Sequence, residues 1–158
     1  MKKPILLLVF PLVFPLLSWS RSVAGPEELL FSPTALPEFH VVSLEAIRAG
    51  GSVSAAQVTL TDGEIDLFHS VVVFPTESKA GLALVLTVDS LSATGAQIAE
   101  GPDIEEDSAI LLGQDGARNA DSFLLRKEPV LTRLTLARSL SQDRVVEYGR
   151  ATVAKIRH

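Results

Sequence analysis

The sequence predicts an all-β protein: a single antiparallel β-sandwich of about seven or eight strands behind a cleaved N-terminal export signal. Three observations predict it. Apolar and polar residues alternate with period two over several runs of nine or ten residues. Turn signals rich in glycine separate those runs. A short apolar leader precedes them, flanked by lysines and a small-residue processing site.

The leader comes first. Lys2 and Lys3 give a positive start, and Ile5 to Leu17 is apolar except for Pro11 and Pro15. Ser22-Val23-Ala24 places small residues at the −3 and −1 positions, as does the alternative Ser18-Trp19-Ser20. The first site is preferred, because the acidic Gly25-Pro26-Glu27-Glu28 follows it. A retained membrane anchor is the competing reading. It is disfavoured because a spanning helix needs about 20 apolar residues and tolerates internal proline poorly. No cysteine follows the leader, so lipid anchoring on cysteine is excluded. The expected organisation is a signal peptide at 1–24, an extended lead-in at 25–37 and a β-sandwich domain at 38–158. The address is secreted or periplasmic, of bacterial type.

Cutting after Ala24 leaves 134 of the 158 residues, enough for one domain with its own core. The chain has no cysteine, so it depends on apolar burial and does not belong with disulfide-rich secreted scaffolds. Asn119 stands before Ala120-Asp121 and makes no N-glycosylation acceptor. The mature part carries 11 basic against 19 acidic side chains, a net of −8. From Gly25 to Gly116 there are 15 acidic residues against two basic ones; from Ala117 to His158 there are nine basic and four acidic. Net acidity argues against a nucleic-acid partner, since phosphate binding needs a basic footprint.

The elements follow in order. Gly25 to Pro37 holds three prolines and no clean period. Phe39 to Ile47 alternates, with His40, Val42, Leu44 and Ala46 on one face, and Gly50-Gly51 ends it in a turn. Ser52 to Thr61 groups Ala56, Val58 and Leu60, and Asp62-Gly63 marks a hairpin into Ile65 to Phe74. That run sets Leu67, His69, Val71 and Val73 against Phe68, Val72 and Phe74. Leu82 to Leu91 alternates cleanly with apolar residues on both faces, so it reads as a central strand. Ala109 to Leu112 and Ser122 to Lys127 read as short strands. Val130 to Leu140 fits either a strand or a helical stripe; Thr132 and Thr135 favour the strand. Val145 to Ile156 reads as a closing strand with Gly149 as a bulge. The stretch Arg48 to Val58 resembles the Ala-Gly-x-Val-x-Ala-Ala-x-Val segment of SAF-type β modules, a likeness confined to that stretch that assigns no family.

Chemistry-bearing patterns are few. The acidic loop 100–107 offers Glu100, Asp103, Glu105 and Asp107 as a candidate metal set, with calcium the hard cation that carboxylates suit. EF-hand spacing is absent, and a run of like charge is commonly a solvated loop. His40, His69 and His158 lack ligand spacing. His69 and Ser70 are adjacent on a strand and so point to opposite faces. No nucleophile elbow or phosphate-cradling loop occurs, and no cofactor is implied. The reading is an exported non-catalytic β domain that binds a protein partner, as an assembly accessory, adhesin-like or structural envelope component. The alternative is a small-ligand or calcium-binding envelope module using loop 100–107. A membrane contact enters only through an uncleaved leader, and an enzyme would need a pocket assembled by folding.

Intact mass and N-terminal sequencing of the exported protein are expected to start the chain at Gly25. A mass that includes Met1 would refute cleavage.

Overall fold

Alternation in the first three runs becomes a meander of β1 (His40–Ile47), β2 (Ser54–Thr61) and β3 (Asp66–Val73). The computed structural model describes residues 25–32, 34, 36–47, 52–100, 107–112, 121–136 and 142–156; the expected signal at 1–24 lies outside them. A second meander consists of β4 (Gln97–Glu100), β5 (Asp107–Leu112), β6 (Asp121–Lys127) and β7 (Val130–Leu136). It returns β7 to the side of β3, so all seven strands form one sheet in the order β1-β2-β3-β7-β6-β5-β4. Every pairing is antiparallel. The expected antiparallel β fold is therefore present, and the open choice at 130–140 resolves as strand through Leu136.

The layering is sandwich-like, but helices and not a second sheet complete it. On one face, α1 (Pro26–Leu29), the chain to Phe39, and α3 (Gln142–Ile156) cover Val58, Leu60, Leu67, Val71, Phe123, Leu125 and Leu134. On the other, α2 (Glu77–Ala93) sets Leu84 against Leu111, Leu124 and Leu131. Each face thus carries its own apolar cluster, as an antiparallel sheet buried on both sides requires.

The hairpin signal at Asp62-Gly63 is realised. Asp62 Oδ1 accepts from the backbone N–H of Glu64 at 2.9 Å and of Ile65 at 2.7 Å. Gly63 has φ +96°, a conformation glycine adopts without steric cost.

Three local expectations change. The run Leu82 to Leu91 is helical, within α2. Its residues are so uniformly apolar or small that period two and period 3.6 fit equally. Length and ends decide: 17 residues exceed an ordinary strand, and the alanines and leucines are strong helix formers. Thr76 caps the start, its Oγ1 accepting from Lys79 N–H at 3.3 Å. At the other end Gly95 N–H donates to Ser92 O and Ala96 N–H to Leu91 O, a Schellman closure with Gly95 at φ +98°. The Thr87 hydroxyl donates to Ala83 O at 2.7 Å, so this β-branched residue is satisfied within the helix.

The run Val145 to Ile156 is likewise helical, within α3, where Tyr148, Gly149, Thr152 and Val153 are buried and Glu147, Arg150 and Ala154 are exposed. That is a 3.6 period, with Gly149 on the packed side and not at a bulge. The third change is the lead-in: Leu29, Leu30, Phe31 and Leu36 are buried, so this segment belongs to the core.

Leu82 and Leu84 discriminate helix from strand, because a strand would place both on one face. On α2 they diverge, at 60% and 9% exposure. In dilute solution Leu84→Ala is expected to cost ~2–5 kcal/mol and Leu82→Ala less than ~0.5 kcal/mol by denaturant unfolding. Equal losses would restore the strand.

Candidate functional site

The acidic loop joins β4 to β5, two neighbouring antiparallel strands at one side of the sheet. Asp103, Glu105 and the side chain of Glu100 lie outside the described residues. Asp107 is described, exposed and occupied: its Oδ2 accepts from Arg126 Nη2 at 2.6 Å and from Nε at 2.9 Å. The two residues face each other in the β5–β6 register. Among the described residues no group of three or more His, Asp or Glu side chains is placed to hold a metal ion.

The histidines separate. His40 is exposed at the start of β1, and β2 stands between it and His69 on β3. His158 lies outside the described residues. His69 is fully buried, with both ring nitrogens engaged. Phe31 N–H donates to its Nδ1 at 3.0 Å, so the remaining ring proton sits on Nε2 and donates to Thr132 Oγ1 at 2.8 Å. Thr132 in turn donates to Ser70 O at 3.2 Å. No ring nitrogen is left to act as a base toward Ser70, which the strand directs to the other face.

This chain of bonds fastens the N-terminal segment to β3 and β7. The Phe31 ring lies 4.4 Å from the His69 ring and 5.8 Å from Tyr148 of α3, centroid to centroid. Lys155 Nζ donates to Leu30 O and stands 5.9 Å from the centre of the Phe31 ring. Burial pushes the His69 imidazole down from its ordinary 6.5 to about 3, and the nearby Lys155 charge adds to the effect. A second proton would also have to sit on Nδ1, opposite an N–H donor. Burial lowers the Lys155 ammonium as well.

The surface offers a different kind of candidate. β1 has a single neighbour, β2, and its outer edge carries no strand among the described residues. All eight of its residues are exposed, because α1 reaches β2 and β3 but leaves β1 uncovered. Val41, Val42, Leu44 and Ile47 are 44%, 60%, 61% and 45% exposed. One irregularity, a register shift between Val41 and Ser43, interrupts the strand at Val42. Beyond it Ser43 to Ile47 pairs regularly with β2, and Glu45 accepts from Gln57 Nε2 at 2.7 Å. An unpaired edge with apolar side chains is a template for strand addition. Alternation at 39–47 signalled the strand, but its edge position depends on a strand order that no local pattern carries.

Because the folded state resists protonating His69, the unfolded chain binds the extra proton first as pH falls. Its stabilising contribution is complete above 6.5 and is lost between 6.5 and about 3, at a limiting slope of ~1.4 kcal/mol per pH unit. Unfolding free energies across that window are expected to lose this slope in His69→Gln. An unchanged slope would assign the acid sensitivity elsewhere.

Neither a protein-family model nor a curated protein matches the chain. Among solved structures the chain is similar to the extracellular domain of PknH from Mycobacterium tuberculosis, with a TM-score of 0.60 and 12% identity. The likeness covers 85% of this chain and 97% of that one, and at this identity it shows the fold alone.

Proposed function

We propose that the protein is an exported, non-catalytic domain that binds a protein partner, in the cell envelope or outside the cell, through the open edge of β1. The carrying observation is that edge: eight exposed residues, with no strand on the outer side among the described residues, and aliphatic side chains where an edge strand ordinarily carries lysine, proline or inward charge. The partner chemistry that fits is an extended segment able to add a strand, with apolar residues at alternate positions. One comparison supports the reading. The fold is shared with an extracellular domain. The one histidine buried beside a serine has its hydrogen bonds committed to holding the fold, which favours binding over catalysis.

The test is site-specific photocrosslinking in cells that export the protein. A photoreactive residue at Val42 or Leu44 is expected to give an adduct of one defined mass, and the same probe at Glu64 in the β2–β3 turn is expected to give none. Leu44→Asp, on a side chain already 61% exposed, is expected to abolish the Val42 adduct without lowering Tm. Absence of any adduct from β1, or equal labelling from Glu64, would count against the proposal.

A further inference from the structure

Helix α2 buries Ala80 and Leu84 against the sheet, yet its opposite side is also apolar. Leu82, Val85 and Leu86 are 60%, 55% and 57% exposed. At 100° per residue they form one stripe directly away from the sheet. A helix apolar all round is normally covered all round. Nothing among the described residues covers this stripe.

Charge indicates what does. The stripe is bounded by Lys79 toward the helix start and Asp89 toward its end, both exposed, and residues 80 to 88 carry no charge. Ten positions at 1.5 Å each set the two about 15 Å apart along the axis. Lys79, in the first turn, opposes the helix dipole, which favours acids there, while Asp89 lies more than one turn from the end at Ala93. An antiparallel copy of the same helix removes that conflict. It brings Asp89 of the second copy to Lys79 and Lys79 of the second copy to Asp89, and each Asp89 then meets the favourable first turn of the neighbouring helix. Leu82 faces Leu86 of the second copy, and the two-fold axis passes level with position 84 of each helix. A lipid surface fits less well, since an interfacial helix flanks its apolar face with lysine and arginine, and α2 offers Lys79 alone beside Glu77 and Asp89.

We propose that the outer stripe of α2 is an isologous interface on which a second copy of this chain docks antiparallel, with Lys79 of each copy paired to Asp89 of the other. This surface lies over β4 to β7, at the opposite side of the sheet from β1. The inference therefore stands or falls separately from the strand-addition proposal.

Sedimentation equilibrium on the protein, purified as the expressing cell processes it, reads the association. The expected result is a monomer–dimer equilibrium that Val85→Glu shifts to monomer, with unchanged far-UV circular dichroism. Lys79→Glu and Asp89→Lys, each alone, place like charges at both ends and are expected to weaken the dimer about tenfold or more. An equimolar mixture of those two variants pairs opposite charges at both ends, so it is expected to recover dimer where neither variant forms it alone. Four results would overturn the proposal: a monomer at every accessible concentration, association indifferent to Val85→Glu, no recovery on mixing, or a monomer that instead floats with phosphatidylcholine–phosphatidylglycerol vesicles.

Discussion

The bond from Phe31 N–H to Nδ1 of buried His69 sets the arrangement of the whole sheet face. A seven-stranded sheet without disulfides needs an apolar layer on each side. On one side that layer includes a segment with only four residues of helix, too short to hold itself in place. His69 supplies the attachment. It accepts from Phe31, donates to Thr132 of β7, and thereby ties the segment to the two central strands. Leu29, Leu30 and Phe31 then seal Leu60, Leu67 and Val71, and the Phe31 ring passes the contact on to Tyr148 of α3. The attachment works only while the imidazole is neutral, because the proton that would charge it belongs where Phe31 donates.

The same cover decides what is left open. α1 extends over β2 and β3 and no further, while α2 occupies the far side over β4 to β7. β1 receives neither, and the side chains that alternation would send inward, such as Leu44, stay in solvent. Val58, directly opposite Leu44 in the register, is 3% exposed. One strand spacing therefore separates core from surface.

What was legible in the sequence follows from locality. β1, β2 and β3 announced themselves by period two, and Asp62-Gly63 by its turn chemistry, because both depend on neighbours in the chain. α2 was misread because its apolar residues do not discriminate between periods; only Thr76, Gly95 and the length of the run did. Gly149 made α3 resemble a bulged strand, and prolines hid the core contribution of Leu29 to Leu36. β4, four residues long, is too short for alternation to register. The candidate surface was less legible still. His69 was visible as a strand histidine, but its partner Phe31 lies 38 positions away, and the edge position of β1 follows from β7 joining β3 across the chain.

The two helices long enough to compare show that the apolar exterior of α2 is not a habit of this chain. α3 keeps Tyr148 and Val153 inward and presents Glu147 and Arg150 to solvent, the ordinary division for a helix on a sheet. α2 lies on the same sheet under the same folding demand, and Leu84 with Ala80 already meets that demand. Polar residues at positions 82, 85 and 86 would leave the packed side untouched and keep water-facing apolar area small. Packing among the described residues therefore does not account for the aliphatic side chains there. Lys79, in the first turn, lies against the dipole of its own helix, so intramolecular electrostatics does not account for that charge either. The antiparallel second copy proposed above would account for both features.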